Sequence, residues 1–298
     1  MKLDNKNIFC SVSAGYSSVM MAIKLREWFP DHNIINVMAN TSKERKESLI
    51  YMEKCDKHYN LNLVWLEAEF HENGKAPTPK VVDYNSLKTN GEIFEKGIKK
   101  LGIPNMKNKW CNRDLKLNPL SKYAASIFGK DNYSVAVGLR ADEMDRVSKD
   151  YKTNNVFYPL LDKGIGSRER NKFWQQQPIK IGIPAFKGNC DMCFEKSNRK
   201  LMTIINEEYQ FATRWQNMID KYGFVSIDGK PSYNELLEIN GYQTFYRGYN
   251  NITDLVKLAE KPFVKATDEY IYENDLFEFR HNSLVPAAKV QTFLRKAH

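Results

Sequence analysis

A chain of 298 residues with 42% hydrophobic and 12% aromatic content can bury a large core, which excludes a disordered chain. Its formal charge of +9, from 45 basic and 36 acidic residues, suits a polyanionic partner or simply a basic surface, since the lysines are scattered and "KGIKK" (96–100) is the densest short cluster. No apolar run of signal-peptide or membrane-span length occurs, and the five cysteines (Cys10, Cys55, Cys111, Cys190, Cys193) do not form a disulfide framework, so a cytoplasmic setting without a membrane is expected.

In chain order, "NIFCSVS" (7–13) alternates Ile8, Cys10 and Val12 on one side and reads as a strand. Small residues follow. "SSVMMAIKLREWF" (17–29) then carries apolar residues at helical spacing and is closed by Pro30. "NIINVMAN" (33–40) is a second strand, "SKERKESLIYMEKCDKHY" (42–59) a helix capped by Ser42, and "LNLVWLEAE" (61–69) a third strand. This βαβαβ alternation predicts an α/β fold, a mainly parallel sheet flanked by helices. Residues 70–83, with Gly74, Pro77 and Pro79, read as a loose stretch. Helices are predicted at 86–102, 114–129 and 167–177. A strand at 133–143 runs into a Gly138–Leu139–Arg140 loop, and 156–162 is extended. A cysteine knuckle from 188 leads into one long helix ending near 223. Beyond 224 the alternation is lost, with one helix around 251–261. The chain thus divides softly into a domain over 1–222 and a C-terminal mixed or helical extension over 223–298.

The small-residue loop holds Ser11, Ser13, Ala14, Gly15, Ser17 and Ser18. Backbone N–H groups at a helix start, with the helix dipole behind them, attract an anion, and small side chains let a phosphate approach. A plain strand-to-helix turn with an N-cap serine has the same composition, so the loop alone leaves both readings open. Cys190 and Cys193, in "CDMC", have the spacing of two thiolates on one metal. A redox pair and plain buried cysteines are the other readings. Arg113 and Lys116 flank Cys111, where they suit an anionic substrate or cluster. Arg168 and Arg170 open a short helix as either substrate contacts or a solvated face. The stretch "YQTFYRGYN" (242–250) mixes aromatics with Arg247, as a packed edge or a base-stacking surface does. The five histidines show no metal or triad spacing.

Five motifs in order resemble one family. "SVSAGYSS" is similar to the PP-loop of the adenine nucleotide alpha-hydrolase superfamily, and "MANTSKERKESLIYM" (38–52) to its second strand end. "KWCNRDLKLNPLSKY" (109–123), "VGLRADEMDRV" (137–147) and "YPLLDKGIGSRERNKFWQQQPIKIGIP" (158–184) with "GNCDMCFEKSNRKL" (188–201) follow. The series resembles the phosphoadenosine phosphosulfate reductase family, in the branch of phages and DNA sulfur modification, over residues 6–202. The resemblance implies a Rossmann-like PP-loop fold. It implies ATP or a related adenine nucleotide at Ser11, Ser13, Ala14, Gly15, Ser17, Ser18, Asn40, Thr41, Gly138 and Leu139. Arg140, Glu143 and Arg146 then line the catalytic pocket.

The resemblance also implies that Cys111, Cys190 and Cys193 meet in space as three ligands of a 4Fe–4S cluster with one iron open, with zinc as the alternative. Trp110 stands where one of a double cysteine would be. Ala14 replaces a PP-loop glycine and Ser17 the aspartate that helps hold Mg²⁺. No cysteine follows Cys193, whereas the family's reductases use a nucleophilic thiol near the C-terminus. The expected function is therefore ATP-dependent sulfur transfer to a nucleotide, tRNA or DNA acceptor, served by a cysteine desulfurase or a thiol reductant. A sulfonucleotide reductase-like enzyme and an inactive nucleotide-binding module are the alternatives.

Overall fold

Apolar strands that alternate with amphipathic helices must bury both faces of the sheet they build, and the chain folds accordingly. A computed structural model describes residues 3, 5–72, 75–106, 108–222, 245–248 and 250–267. The first half runs β1 (Asn7–Ser11), α1 (Tyr16–Trp28), β2 (Asn33–Asn40), α2 (Lys46–Tyr59), β3 (Val64–Glu69), β4 (Thr78–Val82) and α3 (Glu92–Leu101). A short α4 (Trp110–Asn112) passes through a π-helical turn (Arg113–Leu117) into α5 (Asn118–Phe128). Then come β5 (Ser134–Val137), a 3₁₀ turn (Ala141–Arg146), β6 (Val156–Phe157), α6 (Pro159–Asp162) and α7 (Ser167–Gln175). Helices α8 (Asn198–Glu207), α9 (Gln210–Tyr222) and α10 (Ile252–Ala259) follow. The fold class is α/β and Rossmann-like. Among the described residues no helix is long and apolar enough to cross a membrane.

The sheet order is β4-β3-β2-β1-β5-β6. All neighbours are parallel except β3 and β4, with Ile8 opposite Ile34 on one side and Ser134 on the other. One face packs on α1, α2, α6 and α7 through residues such as Ile8, Leu25, Met52, Leu160 and Trp174. On the other face Phe9, Val37 and Leu66 pack against Ala124 of α5. A further core joins α3, α4, α8, α9 and α10 through Phe94, Trp110, Leu201, Trp215, Phe245 and Leu255. The described part of 223–298 therefore packs into the same core as residues before 222.

Four local expectations are corrected. The stretch 70–83 contains the antiparallel edge strand β4. Its Pro79 is tolerated because an edge strand need not donate on its outer side. Ser42 does not cap α2, whose N-cap is Arg45 without a side-chain cap. Ser42 takes a left-handed φ of 64°, and its Oγ accepts from Ile93 N (3.0 Å) and Phe94 N (3.3 Å) at the start of α3. The helix expected over 86–102 begins only at Glu92, after a 3₁₀ turn at Tyr84–Ser86. The single long helix after the knuckle is two. The break falls at Glu208 (φ −147°, ψ 58°), whose carboxylate is drawn to Arg45 (2.8 Å) and Lys187 (3.3 Å).

Candidate functional site at the carboxyl edge of the sheet

From β1 the sheet grows to β2, β3 and β4 on one side and resumes with β5 on the other. The carboxyl ends of β1 and β5 therefore diverge at a topological switch point, where open α/β sheets bind ligands. The two loops that the sequence singled out leave from these two ends.

The first loop is fixed by its own serines. Ser13 N donates to Ser18 Oγ (2.9 Å), and Ser18 Oγ donates to Ser11 O (3.3 Å). Gly15 is the N-cap of α1, with no side-chain cap and no acidic residue in the first turn. Its φ of −104° and ψ of 147° suit any residue. A Cβ on it would meet only Ser13 Oγ at 3.7 Å. Neither backbone nor packing demands glycine here, so its bareness leaves an open cradle over the helix start. Ala14 packs half-buried on the core, and Ser13 is exposed. Behind the loop, Trp174 stacks on Tyr16 (4.6 Å between ring centres) and donates from Nε1 to Tyr16 O (2.9 Å).

Gly138 is the opposite case. A Cβ there would lie 2.8 Å from Ser18 Cα, so glycine lets the β5 loop rest on the first turn of α1. Leu139 beyond it is buried. This approach brings Arg140 Nη1 within 3.3 Å of Ser17 Oγ. Arg140 also pairs with Asp142 (2.9 Å) and Glu143 (3.5 Å), and Glu143 with Arg146. Partial burial raises the Asp142 carboxyl, and Arg140 more than offsets it, holding it below the usual carboxylate range. Arg146 stands in solvent. Arg168 is also exposed, whereas Arg170 is buried and donates to Asn171 Oδ1 (2.8 Å).

At the end of β2, Asn40 is wholly committed to the protein. Its Nδ2 donates to Glu67 Oε1 and Lys88 O (both 2.8 Å), and its Oδ1 accepts from Ser42 N (3.0 Å). Thr41 donates from N and Oγ1 to the buried Glu44 (2.9 Å each). Thr41 Oγ1 also lies 3.6 Å from Cys190 Sγ.

That contact opens onto the three cysteines. Cys111, Cys190 and Cys193 are half-buried, and Cys193 is close enough to act on the charge of each of the other two. Burial pushes the Cys111 and Cys190 thiols up to about 12, so both are protonated at neutral pH. Burial works against the Lys116 ammonium, but Cys190, Glu44, Cys111 and Cys193 more than offset it and raise its hold on its proton. Burial lowers Lys196, which faces Cys193 and Cys190 and donates to Phe186 O (3.2 Å) and Gly188 O. Among the described residues no group of three or more His, Cys, Asp or Glu is arranged to hold a metal ion.

The predicted site residues lie at the carboxyl edge or among the cysteines beside it, but Ser18, Asn40, Thr41 and Leu139 are buried, the first three with their side chains engaged within the protein. Sequence reasoning missed Glu44 and Lys196, which carry no spacing signal.

No protein-family model matches the chain. It is 27% identical over 176 residues to the "Uncharacterized nin region protein ORF290" of Escherichia phage lambda, covering 58% of this chain and 60% of that protein. It is 23% identical over 238 residues to "Uncharacterized protein MJ0973" of Methanocaldococcus jannaschii, covering 74% of this chain and 50% of that protein. "Uncharacterized protein MJ0066" of the same organism is also 23% identical over 238 residues, covering 73% of this chain and 42% of its own length. The chain spans 42–60% of the length of these relatives.

Proposed function

We propose that the chain binds an adenine nucleotide, ATP or a close relative, at the β1–α1 loop and transfers sulfur to a nucleotide or nucleic-acid acceptor through Cys111, Cys190 and Cys193. The observation that carries this reading is the 3.6 Å contact of Thr41 with Cys190, which joins the thiol pocket to the sheet edge that bears the loop and Arg140. Phosphates would lie over Gly15 against the first N–H groups of α1, with Ser13 and Ser17 as hydroxyl donors and Arg140 as a planar fork. Mg²⁺ would take its oxygens from the phosphates, water, Asp142 and Glu143, since Ser17 offers no carboxylate.

Three thiols are the donor type that a soft, sulfur-ligated group takes, a 4Fe–4S cluster with one open iron or zinc with a further ligand, although among the described residues they are not arranged around one metal ion. The charges of Cys190 and Cys193 act on both Lys116 and Lys196, whose ammonium groups would offset thiolate charge. When bound, a cluster would supply a resting place for a sulfur atom in transit. The chain's own part is to release the thiol protons, hold the sulfurs beside Thr41 and keep cations next to them. A cysteine desulfurase or a thiol reductant would supply sulfur or electrons, and the charge of +9 favours an acceptor that carries phosphates.

Anaerobic purification with iron, sulfide and zinc analysis, together with calorimetric titration of a non-hydrolysable ATP analogue, tests both halves. The expected result is about four irons and four sulfides per chain, abolished by Cys190→Ala, and nucleotide binding lost in Arg140→Ala. Zinc or no metal removes the cluster, and absent binding removes the nucleotide half. A second reading has its own support in Ser17. A loop without the metal-binding carboxylate suits a sulfonucleotide bound without ATP cleavage, and titration with phosphoadenosine phosphosulfate separates the two.

A further inference from the structure

The arginine fork at the β5 loop already holds an anion of the protein's own. Arg140 turns its side edge to Asp142, donating from Nε to Oδ1 (2.9 Å) and from Nη2 to Oδ2 (3.3 Å). This is the two-pronged geometry with which an arginine also takes a phosphate. Its Nη1 lies 3.3 Å from Ser17 Oγ and 3.5 Å from Glu143 Oε2. The Arg140 side chain is only 14% exposed, so the pair is not a fully solvated surface contact. A carboxylate thus sits on the cation that faces the first turn of α1.

The two acidic partners are held differently. Glu143 accepts from Arg140 N (3.2 Å) and pairs with Arg146, so it is tied to the backbone of its own turn. The Asp142 side chain is 42% exposed. Its Oδ1 lies 3.6 Å from where a Cβ on Gly166 would stand, beside the start of α7. It can turn toward water or toward that helix start, where negative charge is favoured, without stranding a buried charge. Gly138 meanwhile seats the Arg140 loop on the first turn of α1. The arginine stays at the cradle, and the aspartate is the partner free to leave.

We propose that Asp142 is an autoinhibitory latch on Arg140: its carboxylate occupies the guanidinium of the ligand-free protein and must leave before that guanidinium grips a phosphate. The inference rests on the nucleotide half of the proposed function. That reading gives Arg140 to phosphate and Asp142 to Mg²⁺, and each role needs the pair to open. A site that is competent only while the pair is open shows an affinity reduced by the open fraction. Removing the latch therefore tightens phosphate binding, although it takes a residue out of the site.

The test is calorimetric titration of the full chain at about 0.15 M salt in EDTA, so that Asp142 has no metal to serve. The probes are a non-hydrolysable ATP analogue and inorganic tripolyphosphate. Asp142→Ala is expected to bind the analogue about fivefold more tightly than wild type. Asp145→Ala removes the same charge from the same exposed turn and is expected to change the affinity less than about twofold. An Asp142→Ala affinity no tighter than wild type overturns the proposal. So does an equal gain in Asp145→Ala, which would be an effect of charge alone. Should Asp142→Ala fail to fold, Asp142→Asn, of the same shape, must show the gain, and its absence overturns the proposal equally. Tripolyphosphate carries phosphates without the adenosine. If it shows the gain while the analogue binds neither protein, the latch holds and the adenine-nucleotide reading falls. If neither probe binds, both fall.

Discussion

Gly15 and Gly138 are glycines for opposite reasons, and the difference can be measured. With a φ of −104° and its nearest neighbour at 3.7 Å, position 15 accepts a side chain without strain. Gly15→Val is expected to change unfolding stability by less than about 0.5 kcal/mol and to weaken binding of an ATP analogue about tenfold or more. At Gly138 a Cβ would strike backbone 2.8 Å away. Gly138→Ala is expected to cost about 1–3 kcal/mol in urea unfolding, since the loop must lift off α1. Equal effects on stability at the two sites would deny the open cradle. Asn40 shows what sequence could not separate. The resemblance places it at the nucleotide, yet every polar atom of its side chain serves Glu67, Lys88 or Ser42. A motif names a residue, but only packing tells whether its side chain faces the ligand or holds the strand end that does.

The sheet elements were legible because apolar alternation fixes them: β2 lies over the predicted 33–40, and β1 and β3 are trimmed only at their ends. What was not legible was decided by partners far along the chain. Ser42 has the composition of an α2 cap, but its hydroxyl serves α3, fifty residues on. Its left-handed backbone adds a cost that glycine would not pay. The expected order of stability is therefore Ser42 above Ser42→Gly above Ser42→Ala. Losing the cap costs about 1 kcal/mol, and the Gly variant regains only part of that from relieved strain. Denaturant unfolding of the three proteins checks the order. The break between α8 and α9 depends likewise on Arg45. Partial burial raises the Glu208 carboxyl, but Arg45 and Lys187 overcome this and hold it below its ordinary value. Its contribution is thus fully present above that ordinary value and is lost as pH falls through the lower folded one. Glu208→Gln should melt below wild type at pH 7, and the gap should close on acidification toward pH 3.

At the scale of the molecule, the question is whether the sheet and the helical lobe form one unit. The sequence suggested a soft boundary near 222, because the βα alternation stops there and nothing local shows where the later residues return. The structure returns them to the front. Phe245, Tyr246, Ile252 and Leu255 pack with Phe94 and Trp110, and Trp110 begins the helix that covers the second face of the sheet. Ala266 N donates to Thr203 Oγ1 of α8 (2.8 Å). α8 also carries the exit of the cysteine knuckle, so loosening α10 should be felt at the thiols. Leu255 is 0% exposed, and Leu255→Ala removes its packing at a cost of about 2–5 kcal/mol. If the lobe and the sheet are one cooperative unit, circular dichroism and tryptophan fluorescence will report the same single, lowered transition, and Cys190 and Cys193 will label faster with iodoacetamide. A separate early transition that leaves the sheet untouched would instead mean that the segment after 222 folds as its own domain, leaving the thiol pocket with only the residues before it.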